Sequence, residues 1–204
     1  AWHLSNLPEK TYDKQQAEKI LVDLGWQRGD DGIFMKEGDR FELTLTTYAD
    51  RPELTLVATA IQDQWRQIGV DLNIDVTNSS MIPAGHQDDS LEVALIARNY
   101  GVIANPLAVI ETDFTHGGGD WGAMNWHGEG IAEKLEQLNQ IFGEQGDDKS
   151  FLMSQAVMQQ IYQQKPVLPI AHYRDHIAVN HRVSGFKFDP YSRSYHINLM
   201  ELSN

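Results

Sequence analysis

At 204 residues and 41% hydrophobic content, the chain carries enough apolar mass for one domain or a large lobe with a core, which excludes a disordered segment. Its 16 Lys and Arg face 29 Asp and Glu, and the resulting charge of −13 excludes a phosphate-backbone partner, which needs a basic face for counterion release. Cysteine is absent, which removes disulfides, thiolate metal sites and cysteine nucleophiles, and no window approaches the roughly 20 apolar residues of a bilayer span.

The chain opens on Ala1, Trp2, His3 and Leu4 with no signal peptide, as expected of a mature form or an excised piece. Residues 12–26 predict a helix with Ala17, Ile20, Leu21 and Leu24 on one face, Asp13 near its start and Gly25 at its end. A turn at Glu37, Gly38 and Asp39 leads into a strand over 41–47, where Phe41, Leu43 and Leu45 alternate with Glu42 and Thr44. Pro52 opens a second helix, whose stripe of Leu54, Val57, Ala58, Ile61, Trp65 and Ile68 stops at Gly69. Val70, Leu72, Ile74 and Val76 then alternate again. Strand, helix and strand within about 35 residues form a βαβ unit, so the fold class is α/β.

Residues 77–90 read as a surface connection, 91–97 as a strand, and 107–130 as a long glycine-rich and aromatic loop of the kind that usually carries function. Two helices follow, one defined by Ile131, Leu135, Leu138 and Phe142, the other by Met153, Ala156, Val157 and Ile161. Residues 166–170 and 176–179 read as strands, and Asp189 with Pro190 as a turn.

Eight histidines invite a search for metal ligands. His172 and His176 have a chelating spacing only on a helix, whereas their segment reads as extended, which separates them by about 13 Å. His116 stands just after Asp113 and before Gly117, Gly118 and Gly119, a run that lets backbone approach a ligand closely; alone it can complete a metal site only if a chelator brings the other ligands. Residues 117–122 formally spell a dinucleotide-binding glycine motif, but no helix start follows it. Tyr100, Trp121 and Trp126 can wall an apolar cleft or fill the core of the lobe. No nucleophile elbow is present, and Glu129, Glu133 and Glu136 read as a solvated helix face, so an enzyme has no residue set to carry it.

The order of these segments resembles the extracellular solute-binding proteins, family 5, of the dipeptide, oligopeptide and nickel ABC importers. The resemblance rests on Tyr12 and Asp13 followed by Ala17 to Leu21 and Gly25-Trp26; on Leu43 to Tyr48, Arg51-Pro52-Glu53-Leu54, the helix through Trp65 and Ile68-Gly69-Val70; and on Gln159 to Tyr162, Pro166 to Ile170 and Val183-Ser184-Gly185-Phe186, which resemble the family's closing helix, strand and turn. It implies a periplasmic-binding-protein type II-like lobe with a mixed sheet flanked by helices. Residues 1–173 would form the C-terminal ligand-binding lobe and 174–204 a segment returning toward an N-terminal lobe. It also implies that peptide-binding members anchor the ligand amine with an aspartate four residues before a proline, where this chain has Val102 before Pro106. Nickel-binding members place a histidine after that proline, where His116 stands, and an aromatic residue two before it, where Ala104 stands.

The resulting expectation is a periplasmic or lipid-anchored monomer, not an enzyme. It captures a peptide or nickel chelate through Tyr100, Asn105, His116, Trp121 and Trp126, with His116 as the metal ligand, and delivers it to ABC permease subunits. A chelated nickel ion would be cargo, no resident cofactor is called for, nucleic acid is not a partner, and membrane contact runs only through the permease. The alternative is a ligand-sensing domain of a regulator built on the same fold. A signal sequence in the full gene product would favour transport, and a helix-turn-helix would favour regulation.

Overall fold

The computed structural model describes residues 4, 7, 11–99, 106–115, 121, 126, 128–142, 148–174, 176–189 and 194–203. In chain order the elements are α1 (Lys14–Asp23), β1 (Gln27–Arg28), β2 (Phe34–Lys36), β3 (Asp39–Arg40), β4 (Glu42–Tyr48), α2 (Pro52–Gln67), β5 (Asp71–Thr77), α3 (Met81–Gln87), β6 (Val93–Ala94), α4 (Pro106–Phe114), α5 (Ile131–Phe142), α6 (Asp148–Gln164), β7 (Val183–Ser184) and β8 (Glu201–Leu202). The chain divides into two compact units, His3–Arg98 with Asp113–His127, and Ala1–Trp2 with Asn99–Thr112 and Gly128–Asn204.

The first unit is built on a parallel sheet in the order β5-β4-β6. Seven residues of β4 pair in register with β5, from Glu42 opposite Asp71 to Tyr48 opposite Thr77, and Leu45 and Thr46 pair with Val93 and Ala94 of β6. Helix α2 makes the β4-to-β5 crossover, as the strand-helix-strand pattern predicts. Leu45, Tyr48, Leu54, Ala58, Leu72, Ile82 and Leu95 form the core, with Val57, Ile61, Trp65 and Ile74 packed around it. Pro at the first turn suits α2 because that N–H has no helical partner.

Helix α2 ends on a Schellman motif: Gly69 N–H donates to the Arg66 carbonyl and Val70 N–H to that of Trp65, both at 3.0 Å, with Gly69 at φ +84°. Helix α1 ends the same way at Gly25, φ +91°, and begins on Asp13, whose carboxylate accepts the Gln16 N–H at 2.9 Å. A smaller antiparallel sheet, β1-β2-β3, which the sequence pattern does not predict, turns between β2 and β3 at Glu37 and Gly38, both with positive φ, within the turn predicted over Glu37, Gly38 and Asp39. Trp26 stacks on Phe41 with centroids 4.4 Å apart.

In the second unit α5 and α6 pair, burying Ile131, Leu135 and Leu138 with Val157. Lys134 Nζ donates to Gln160 Oε1 at 2.8 Å, and Gln160 Nε2 to the Glu129 carbonyl at 2.9 Å. Strands β7 and β8 pair antiparallel, Val183 opposite Leu202.

Several sequence expectations are corrected. The connection over 77–90 contains α3, held by the fully buried Ile82, and the loop over 107–130 begins with α4, which buries Leu107, Ile110 and Asp113. The strand over 91–97 makes a ladder only at Val93 and Ala94. Residues 166–170 and 176–179 form no strand, because no described segment pairs with them; Leu168, Ile170, Ile177 and Val179 are exposed. Helix α6 turns Ser150, Ser154 and Val157 inward and leaves Ala156 exposed. The α1 stripe buries no residue, and Ile20 and Leu24 are exposed. No helix among the described residues is long and apolar enough to cross a membrane.

Candidate functional site

Open α/β sheets bind ligands beyond the carboxyl ends of their strands, because side chains and loops there converge without covering elements. In the first unit those ends are Tyr48 of β4 and the extended run 95–98 after β6. The run is held by β4 past the last ladder pair: Leu95 N–H donates to the Thr46 carbonyl at 3.0 Å, and the buried Thr47 hydroxyl donates to the Leu95 carbonyl at 2.9 Å. Tyr48 completes the attachment. Its phenol accepts the Ala97 N–H at 3.1 Å and lies 3.5 Å from the Ala97 carbonyl as donor. The ring is 6% exposed and meets Trp121 edge-on, with centroids 5.8 Å apart and planes at 87°.

Arg98 follows at once. Its Nη2 donates to Asp113 Oδ1 at 2.7 Å and its Nε to Oδ2 at 3.3 Å, so one carboxylate takes one edge of the guanidinium fork. The Asp113 side chain is 1% exposed and the Arg98 side chain 30%. Burial of a carboxylate without such a partner would cost several kcal/mol, of order 3–5, a cost the Arg98 guanidinium offsets. Next to Asp113, Phe114 meets Trp126 edge-on at 6.1 Å.

Two of the sequence-predicted site residues, Trp121 and Trp126, therefore lie in this unit, each half-buried and each held by an aromatic ring. Tyr100, Asn105 and His116 lie outside the described residues, as does most of the glycine run. His172 and His176 are exposed on a non-helical segment, and among the described residues no group of three or more His, Cys, Asp or Glu could hold a metal ion. Sequence reasoning missed Tyr48 and Arg98. The available signal for Arg98 was a lone cation ending the apolar run 91–97 in a strongly acidic chain.

Elsewhere on this unit, Arg40 joins Asp31, Asp71 and the more distant Glu42 into a surface network, and Arg66 adds a contact to Asp71 at 3.3 Å. The hydrogen bond from Arg40, with that from the Ile33 N–H, holds the Asp31 carboxyl below the usual aspartate range. A surface depression lined by Gly25, Arg28, Met35 and Lys36 lies on the antiparallel hairpin and shares no residue with the strand ends. The groups at the strand ends are suited to holding a ligand: aromatic surface, satisfied hydroxyls and a guanidinium held by a buried carboxylate.

The model of the bacterial extracellular solute-binding proteins, family 5 (middle region), matches residues 1–121. Over 196 residues the chain is 21% identical to the oligopeptide-binding protein AppA of Bacillus subtilis, covering 94% of this chain and 35% of AppA. The crystal structure of AppA in complex with a nonapeptide superposes with a TM-score of 0.71 at 16% identity, covering 98% of this chain and 39% of that one. NikA from Brucella suis in complex with Fe(III)-EDTA gives 0.66 at 16% identity over 78% of this chain and 32% of that one. The periplasmic-binding-protein type of α/β fold expected from the sequence is thus present, and the chain spans about a third of the length of these relatives.

Proposed function

Because the chain belongs to the bacterial extracellular solute-binding proteins of family 5, we propose that it is the C-terminal ligand-binding lobe of an extracytoplasmic protein that captures a small ligand for an ABC importer. The lobe comprises residues 1–173, and residues 174–204 return toward an N-terminal lobe; the exposure of Ile177, Val179, Phe188 and Leu202 supports that reading. The ligand is a peptide or a metal chelate of the nickel class; AppA is crystallised with a nonapeptide and NikA of Brucella suis with the metal chelate Fe(III)-EDTA. It is bound without chemistry as the lobes close, and released to the permease subunits.

The observation that carries this reading is the aromatic edge at the carboxyl ends of β4 and β6, where Tyr48 is attached to Ala97 and supports Trp121. Tyr100, Asn105, His116, Trp121 and Trp126 contact the ligand, and His116 completes the coordination of a chelated metal. Calorimetry on the full-length protein tests it. If the cargo is a metal chelate, His116→Ala lowers affinity for Ni(II) with L-histidine by roughly tenfold, about 1.4 kcal/mol, while His172→Ala leaves it unchanged. If the cargo is a peptide, Trp121→Ala is the damaging change, at about 1–3 kcal/mol of lost apolar contact. Unchanged affinity in all three variants would move the site elsewhere.

A further inference from the structure

The geometry points to Tyr48 as a positioning residue that couples two walls of the site. Its ring and hydroxyl tie Trp121 to the strand-end run 95–98, so that a solute packed on Trp121 also orders that run. This inference rests on the solute-binding reading above and adds to it a route by which contact at one wall is felt at the other. Three observations support it.

The first is how the run is attached. The ladder between β4 and β6 pairs only Leu45 with Val93 and Thr46 with Ala94. One backbone bond carries it further, from the Leu95 N–H to the Thr46 carbonyl at 3.0 Å. Beyond it the attachments from β4 are side chains, the Thr47 hydroxyl on the Leu95 carbonyl and the Tyr48 phenol on Ala97. A segment held by side chains opens locally when they shift, while the ladder behind it stays closed.

The second is the grip on Ala97. The phenol oxygen accepts the Ala97 N–H at 3.1 Å and lies 3.5 Å from the Ala97 carbonyl, the outer limit of a donated bond. The hydroxyl is carried at the far end of the ring, so a tilt of the ring displaces it from both groups. Attachment of Ala97 therefore depends on the orientation of the Tyr48 ring.

The third is what sets that orientation. Tyr48 is buried in the core cluster with Leu45, Leu54, Ala58 and Leu72, and Trp121 packs against this cluster. The two rings meet with planes at 87° and centroids 5.8 Å apart, the perpendicular arrangement that aromatic pairs favour. Trp121 is only half-buried, so a solute arriving from solvent reaches the indole before the phenol. A solute packed on Trp121 holds the indole against the Tyr48 ring, and the ring holds its hydroxyl on Ala97. Tyr48 then acts on the site through Trp121 and the run, with no need to touch the solute itself.

Hydrogen exchange of the full-length protein, read over 95–98, tests this coupling first without probe and then with a saturating tripeptide pool or Ni(II) with L-histidine. Without probe, Trp121→Ala should raise exchange over 95–98 about threefold or more while α2 and β5 stay protected, although the groups of β4 that hold the run are all unchanged. Trp121→Phe, which restores a ring beside Tyr48, should recover most of that protection. With probe, wild type should gain roughly tenfold protection over 95–98, and Tyr48→Phe, which keeps the ring and drops the hydroxyl, about twofold or less. In a double-mutant cycle on probe affinity, Tyr48→Phe combined with Trp121→Ala should bind no more weakly than the weaker single variant. Exchange over 95–98 unmoved by Trp121→Ala, or affinity losses that multiply in the double variant, would overturn this inference and leave the solute-binding reading standing. Failure of wild type to take up either probe would overturn the peptide-or-chelate reading, and the probe-free comparison would still decide the coupling.

Discussion

Gly69→Ala should be among the most damaging single-methyl additions to the first unit, and its cost separates into two parts. Gly69 closes α2 at φ +84°, where an L side chain is strained by roughly 1 kcal/mol. An added Cβ would also lie 2.6 Å from Cδ2 and 2.9 Å from Cε2 of Phe34, and 3.1 Å from the Gly32 carbonyl oxygen. Phe34 cannot easily withdraw: it is 2% exposed, its N–H donates to the Gly69 carbonyl at 2.8 Å, and Arg28 lies over its ring. Overpacking of this kind costs about 1–3 kcal/mol, giving roughly 2–4 kcal/mol in total. Gly25 supplies the control. It closes α1 with the same motif at φ +91°, but a Cβ there would meet only the flexible end of Lys36 at an ordinary 3.6 Å, so Gly25→Ala should cost about 1 kcal/mol. Urea unfolding of both variants, with Phe34→Leu combined with Gly69→Ala in a double-mutant cycle, measures the steric part as a coupling of about 1 kcal/mol or more. Equal costs at the two glycines, with no coupling to Phe34, would refute the reasoning.

Other outcomes follow from the same geometry. Tyr48→Phe removes the acceptor of the Ala97 N–H and should cost about 1 kcal/mol of stability in urea unfolding, together with a loss of ligand affinity; stability unchanged with affinity intact would mean the phenol attachment is incidental. Gly185→Ala would put a Cβ 1.9 Å from the Leu199 carbonyl oxygen, so hydrogen exchange should rise at residues 183–184 and 201–203 while α2 and β5 stay protected. Asp31 has its carboxyl held low by Arg40, so its contribution is present above the ordinary aspartate value of about 3.9 and is lost as pH falls below it. The stability difference between wild type and Asp31→Asn should therefore be largest near neutrality and vanish in acid; a difference that grows toward low pH would reverse the sign.

The βαβ unit was legible because β4, α2 and β5 each bury one face and keep its period: Leu45, Leu72, Leu54 and Ala58 all reach the core as the stripes require. Tyr48 was not, because it falls on the strand face shared with Glu42 and Thr44, which reads as solvated, and yet closes the core at the strand end. Helix α4 was hidden for a related reason. Its buried stripe of Leu107 and Ile110 is completed by an acid, and Asp113 can occupy that position only because Arg98, 15 residues earlier in sequence, neutralises it. On α6 the inward face is serine, with Ser154 Oγ donating to the Ser150 carbonyl at 2.7 Å, a local solution that hydrophobic counting misses. The apolar segments after Lys165 have strand composition without a described partner, and pairing, unlike composition, cannot be read from one segment. The glycine of the Val183-Ser184-Gly185-Phe186 turn has a physical reason in the close approach of the Leu199 carbonyl.

The central claim is that the carboxyl ends of β4 and β6 hold a small solute when the protein is whole. Native mass spectrometry of the full-length protein, purified without denaturation, tests it most directly. The account predicts a bound species, either of peptide mass and depleted in Trp121→Ala or of metal-chelate mass and depleted in His116→Ala, with the fold unchanged by circular dichroism. A protein that carries no solute, and takes up none from a tripeptide pool or from Ni(II) with L-histidine, would contradict it.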